Sequence, residues 1–260
     1  MSQSALLPRT DDWLGLRGAR VLVAGGGGIG GACALAYARA GASVAVVDRD
    51  RSVLDAFAAA HADEATFELI QADLTERGAG ERIVAEVIDR LGGLEVLLHA
   101  VGMNDRRPIL EFTEEEWERI MQVNLFTLFG LAQAAGRHMV AQGHGRILAL
   151  SSVSGLLAHH SHGPYAASKG AINQLLRVMA REWAPSGVTV NALAPGYIET
   201  PLTTGELAKP GKRASLEGLV PAGRLGTTDE ITGPALFLSS AHAAFVTGHV
   251  MYIDGGRTLV

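Results

Sequence analysis

The sequence holds a single cysteine, Cys33, among 260 residues. No internal disulfide can form, which suits a reducing cytosol. It also lacks any uninterrupted apolar run near the roughly 18 residues that span a bilayer. The first residues, MSQSALLPRTDDW, show no basic start followed by an apolar stretch, so no export signal is read there. A soluble, cytoplasmic protein without a membrane partner is expected. Basic charge is short as well. The 22 Lys and Arg against 27 Asp and Glu leave a net charge of -5, a poor match for nucleic acid phosphates. No repeat of solenoid length is present. Charged residues make up 19% and hydrophobic residues 48%, which excludes intrinsic disorder and leaves ample material for a core.

Glycine is abundant instead, at 32 residues, and without the three-residue period of collagen. Such an excess points to tight turns or close backbone contacts with a ligand. Short apolar, β-branched runs recur at 20–24, 43–47, 66–71, 94–99, 146–150, 188–193 and 250–253. Helical patterns lie between most of them, at 30–40, 51–61, 77–91, 114–141 and 164–184. Ile172, Leu175, Leu176, Met179 and Trp183 share one face of the last. Strands alternating with helices predict an α/β fold of Rossmann type. One doubly wound parallel sheet of about seven strands carries helices on both faces. Residues 1–18 read as a polar lead-in and 19–260 as a single domain. The mixed, Pro- and Gly-containing segment 197–226 follows a strand's carboxyl end, where ligands sit in such folds, and is read as a lid.

Gly25, Gly27 and Gly30 fit G-x-G-x-x-G between a strand and a helix. Absent side chains let backbone N–H groups approach a pyrophosphate, and the helix N-terminus favours the anion. Asp48 closes the second strand, where a carboxylate can accept hydrogen bonds from an adenosine ribose. It would repel a 2′-phosphate, so NAD is expected over NADP, although Arg49 beside it could accommodate that phosphate. Tyr165 and Lys169 are four apart on a helix and share a face. A free phenol has a pKa of about 10, and a nearby ammonium is expected to lower it. The pair suits proton exchange with an alcohol oxygen. Ser151 and Ser152, at the end of the fifth strand, bring a hydroxyl to the same crevice to stabilise developing charge.

From about Leu16 to Gly256 the chain resembles the short-chain dehydrogenase/reductase family, with its motifs in order. RVLVAGGGGIG looks like the cofactor loop, with Gly25, Gly28, Ile29 and Gly30 as its contacts. Asp73 and Leu74 look like the adenine segment, and Gln122-Val123-Asn124-Leu125 like the segment of the catalytic asparagine. ILALSSVSG resembles the serine segment, whose spacing selects Ser152, and Tyr165-Ala166-Ala167-Ser168-Lys169 is the central motif. Asn191 to Gly196, with Ile198 and Thr200, resembles the nicotinamide-side loop. The resemblance implies Tyr165 as general acid/base. Lys169 would lower its pKa and hold the nicotinamide ribose, Ser152 would orient the substrate oxygen, and Asn124 would help hold Lys169 and a water. Ala100, Gly102 and Pro195 join the cofactor contacts, and Ile198 and Thr200 would meet the nicotinamide amide and the phosphates.

Two departures stand out. The family's Thr-Gly is followed by three residues before Gly-x-Gly, whereas Ala24-Gly25 here is followed by two. Its Asn-Asn-Ala-Gly is His99-Ala100-Val101-Gly102 here, so bonding from sheet to loop must differ.

His159, His160 and His162 lie close in sequence without acidic or cysteine neighbours, and are read as a pocket wall rather than a metal site. Arg106 and Arg107 would stand at the crevice mouth, where arginine pairs with carboxylates. Arg106, His159, Ser152 and Tyr165 are the expected substrate contacts. Arg-Arg-Pro here, with Glu182-Trp183-Ala184, resembles family members acting on sugar acids such as gluconate. The expected function is an NAD-dependent interconversion of a secondary alcohol and a ketone without a metal. A 3-oxoacyl thioester reductase and an inactive NAD-binding regulator or scaffold are the alternatives. The family is usually a homotetramer or homodimer, with helices 114–141 and 164–184 at the interface.

Overall fold

The computed structural model describes residues 12–260, so most of the expected lead-in lies outside the described residues. Seven strands form one parallel sheet: β1 (Arg20–Ala24), β2 (Ser43–Asp48), β3 (Glu68–Gln71), β4 (Val96–His99), β5 (Gly145–Leu150), β6 (Val188–Pro195) and β7 (Val250–Ile253). Their spatial order is β3-β2-β1-β4-β5-β6-β7, and every pairing is parallel. The order reverses between β1 and β4, which opens a crevice above their carboxyl ends.

The strands read as continuous apolar runs because both faces are covered. In β1, Leu22 and Ala24 join one buried cluster, while Val21 and Val23 join the other. The first lies under helices α3 (Ala79–Leu91), α5 (Thr127–Gln142) and α6 (Gly163–Trp183). The second lies under α1 (Gly28–Arg39), α2 (Arg51–Ala60) and α9 (Asp229–Ser239). Leu16, read as lead-in, is buried in the second cluster.

Boundaries shift by up to two residues from the sequence reading, for local reasons. Gly78 adopts φ 74 and delays α3 to Ala79, and β4 begins only after Glu95, whose carboxylate holds the backbone N–H of Arg20 at 2.7 Å. The expected helix over 114–141 is interrupted. A helix α4 (Glu114–Met121) and α5 flank a π-helical turn, Gln122–Phe126, which contains Asn124. Such a turn often marks a functional position. The expected lid carries two short helices, α7 (Pro201–Leu207) and α8 (Lys212–Glu217). Its feet are joined by a bridge between Ile198 and Gly226. The N–H of Glu199 donates to Gly226 O and that of Gly226 to Tyr197 O, both at 2.9 Å. No helix among the described residues is long and apolar enough to cross a membrane.

Candidate active site

The crevice at the switch point has a volume of about 800 Å³. One end is built by the turn from β1 into α1. Gly25 has φ 99 and Gly28 φ 48, conformations that favour glycine. A Cβ on Gly30 would lie 2.0 Å from Gly25 O, and one on Gly25 would lie 3.2 Å from Ala100 O, whereas one on Gly27 would meet only Val53 at 3.9 Å. Positions 25 and 28 by conformation, and 30 and 31 by space (a Cβ on Gly31 would lie 2.6 Å from Gly26 O), therefore require glycine, which contains the family's register of 25, 28 and 30, and position 27 does not. Gly27 caps α1 with no side-chain bond, and no acidic residue occupies the first turn. Unpaired N–H groups thus face the crevice beside Ile29, a cradle suited to a pyrophosphate.

Where the loop is one residue short, Asp48 takes up the slack. Its Oδ2 accepts from Gly26 N–H at 2.9 Å and its Oδ1 from Asp50 N–H at 3.0 Å. The carboxylate is thereby fixed at this end of the crevice, with Arg49, Asp73 and Leu74 beside it on the lining. Hydrogen bonds from Thr75 hold the Asp73 carboxyl below its ordinary range. Ala100, Gly102, Pro195, Ile198 and Thr200 continue the lining. Thr200 Cβ lies 3.6 Å from where a Cβ on Gly28 would be, so the segment 197–226 begins against the glycine turn.

Ser152, Tyr165 and Lys169 converge in the middle of the crevice. Ser152 Oγ accepts from Ser154 N–H at 3.1 Å, which leaves its own proton to favour the phenolate of Tyr165. The Lys169 ammonium donates to Leu150 O at 2.7 Å and lies 5.6 Å from the centre of the Tyr165 ring. Burial holds that ammonium down at about 8. Burial pushes Tyr165 above its ordinary value, and the opposing influences are the Ser152 hydrogen bond and the charge of Arg106.

Asn124 is fully buried behind the crevice. Its Oδ1 accepts from Met103 N–H at 2.7 Å, and its Nδ2 donates to Met103 O at 3.0 Å and to Ser168 Oγ at 2.9 Å. Asn124 thus grips the loop next to Gly102, where an added Cβ would stand 3.6 Å from both Asn124 Oδ1 and Lys169 Nζ. Asn124 bonds the loop that follows the altered His99-Ala100-Val101-Gly102 segment, while His99 is bonded through Nε2 to Thr127 Oγ1 of α5 at 2.9 Å.

At the far end stand Arg106, His159, His162, Tyr197 and Glu206. His159 Nδ1 is 2.8 Å from Ser154 Oγ and its Nε2 is 3.4 Å from the Tyr197 hydroxyl, and burial holds it near 4. Arg106 pairs with Glu206 at 3.4 Å, a carboxylate also reached by Lys209 and Lys212. Arg107 turns instead to Asp105 and Glu116. Tyr197 and Glu206 were not singled out by sequence; only their position in the lid pointed to them. No group of three or more His, Cys, Asp or Glu among the described residues is placed to hold a metal ion.

A parallel sheet with a pyrophosphate cradle on one side of its switch point and a phenol–hydroxyl–ammonium set beside it defines the class, an oxidoreductase using a nicotinamide nucleotide. A family model described as enoyl-(acyl carrier protein) reductase matches residues 23–258. Gluconate 5-dehydrogenase of Gluconobacter oxydans (strain 621H) is 36% identical over 250 residues, 95% of this chain and 98% of that protein. Galactitol 2-dehydrogenase (L-tagatose-forming) of Cereibacter sphaeroides is 38% identical over 247 residues, 94% and 96% of the two chains. The solved gluconate 5-dehydrogenase of Burkholderia cenocepacia J2315, in complex with NADP and tartrate, superposes with a TM-score of 0.91 at 37% identity, covering 97% of this chain and 100% of that one. The chain belongs to the short-chain dehydrogenase/reductase family and is an oxidoreductase acting on CH–OH groups.

Proposed function

We propose that the protein is an NAD-dependent dehydrogenase interconverting a polyhydroxylated secondary alcohol, a sugar acid or polyol, and its ketone. The observation that carries this reading is the Ser152–Tyr165 hydroxyl pair facing an open, hydrogen-bonding pocket next to the glycine cradle. When bound, the dinucleotide supplies the hydride acceptor or donor. Gly25, Gly28, Ile29 and Gly30 hold its pyrophosphate with Thr200, and Asp73 and Leu74 flank its adenine. Ala100, Gly102, Pro195 and Ile198 line its path towards the nicotinamide. Lys169 turns from Leu150 O to the nicotinamide ribose.

Ser152 donates to the substrate oxygen. Tyr165 takes the hydroxyl proton during oxidation and returns it during reduction. Asn124 keeps the Met103 loop in place behind Lys169. Arg106 and His159 contact the remainder of the substrate, and the lid covers it. Because the phenol is raised by burial, alcohol oxidation, which needs phenolate, increases as pH rises, and ketone reduction, which needs phenol, increases as pH falls.

The choice of NAD is supported by Asp48, a fixed carboxylate at the adenosine end. The Burkholderia relative was solved with NADP, so the choice is tested directly. NAD is expected to give the higher kcat/KM, and Asp48→Asn to move the preference towards NADP. A wild-type preference for NADP would remove this part of the reading. The whole reading is tested with sugar acids, polyols, β-hydroxy acids and a 3-oxoacyl thioester, followed by absorbance of the reduced nucleotide. Turnover of a sugar acid or polyol is expected. Tyr165→Phe should lower kcat by about 10²–10⁴-fold, the usual worth of a general acid/base, with nucleotide binding retained. Near-normal turnover by that variant would refute the role of Tyr165.

The reading includes a cytoplasmic homo-oligomer. Trp117 of α4, Phe126, Phe129 of α5 and Val178 of α6 are exposed, on the helices expected to meet a second copy.

A further inference from the structure

Beyond the groups that exchange the proton, the substrate end holds an ordered chain of contacts leading to Tyr165. His162 stands at the N-cap of α6, three positions before Tyr165. Its Nδ1 is 2.8 Å from His160 O. A carbonyl only accepts, so the ring proton resides on Nδ1. The Nε2 then carries a lone pair, and Arg106 Nε–H donates to it at 3.1 Å. The His162 ring stands edge-on to the Tyr165 phenol, with centroids 6.2 Å apart. On its other side, Arg106 Nη1 reaches Glu206 of α7 at 3.4 Å. The guanidinium is thus suspended between a ring packed against the phenol and a carboxylate on the lid.

We propose that His162 is a positioning residue for Tyr165, holding the Arg106 guanidinium beside the phenol while Glu206 ties that placement to the lid. The inference rests on Tyr165 being the acid/base group. A cation held there favours the phenolate by Coulomb attraction, and the charge of Arg106 does oppose the effect of burial on Tyr165. The other charged group on the phenol's own helix face is Lys169. His162 itself is faced by His159, Arg106, Lys212 and Glu206. Burial keeps it below its ordinary value, so the ring stays neutral and the lone pair persists. A protonated His162 would present a second donor to Arg106 and break the link. A histidine acting only as a helix cap would have no influence on the phenol's ionisation.

The test measures the pH dependence of kcat/KM for oxidation of the best alcohol in the panel. The same ionisation is read without turnover from the ultraviolet phenolate absorbance of each protein minus that of its Tyr165→Phe counterpart. Arg106 is one-third exposed at 34%, so solvent weakens its effect. Arg106→Gln and His162→Ala should each raise the Tyr165 ionisation by about half to one unit. His162→Gln, whose amide oxygen can accept from Arg106, should restore most of the shift. The double variant Arg106→Gln/His162→Ala should move no further than Arg106→Gln alone, because His162 acts through Arg106. An unshifted His162→Ala, or an additive double variant, overturns the proposal. An absorbance shift in a protein that turns over no alcohol would sustain the positioning and defeat the dehydrogenase reading instead.

Discussion

His99 shows how one side chain can be read to its protonation state. Thr127 Oγ1 donates to Val123 O at 2.6 Å, so it accepts from His99 at 2.9 Å, and the proton of the ring lies on Nε2. The Nδ1 atom has no hydrogen-bond partner, and burial holds the ring at about 3 against an ordinary 6.5. The folded state therefore refuses a proton that the unfolded chain accepts. Stability from this residue is complete above 6.5 and is lost as pH falls towards 3, by up to about 1.4 kcal/mol per unit. His99→Asn is expected to lose less stability than the wild type between about pH 7 and about pH 5 in urea titrations. Equal losses would show that His99 does not carry the acid sensitivity. At this scale, Tyr165 and Lys169 were legible because four-residue spacing on a helix needs no tertiary knowledge. The partner of Lys169 was not legible. Leu150 O becomes available only because β5 ends beside α6, and that depends on the assembled sheet.

The turn between β1 and α1 is the element whose sequence was most ambiguous, since six glycines lie between 25 and 31 and several registers fit. Space decides between them. Gly30→Ala would drive a Cβ to 2.0 Å from Gly25 O and should cost about 1–3 kcal/mol through forced backbone movement. Gly27→Ala enters open space and should stay within about 0.5 kcal/mol of wild type. Thermal or urea unfolding of the two variants checks this, and equal destabilisation would contradict the register. The break between α4 and α5 was likewise hidden. Both halves carry helical patterns, and the extra residue of a π turn changes the phase of the helix without changing its composition. Its reward is local, since the turn lets Asn124 reach the Met103 backbone from both sides.

Across the whole molecule the sheet was plainly written. Most strands are short apolar runs, as a sheet covered on both faces demands, and β3, Glu68–Gln71, at one edge is the more polar one. Quaternary structure is not written so plainly, because exposed aromatics on a helix look the same whether solvent or a neighbour covers them. The proposed assembly predicts a light-scattering mass of two or four times 27.2 kDa, and Phe129→Asp should shift the population towards the monomer by burying a charge. A wild-type mass equal to one chain would dismiss the assembly. The two ends of the lid rest on the Ile198–Gly226 bridge, so the span between them is an interchangeable cassette. A relative's segment could be transplanted onto the same footing with the central sheet left as it is, altering which compound is accepted and, wherever Glu206 is exchanged, the hold on Arg106 as well.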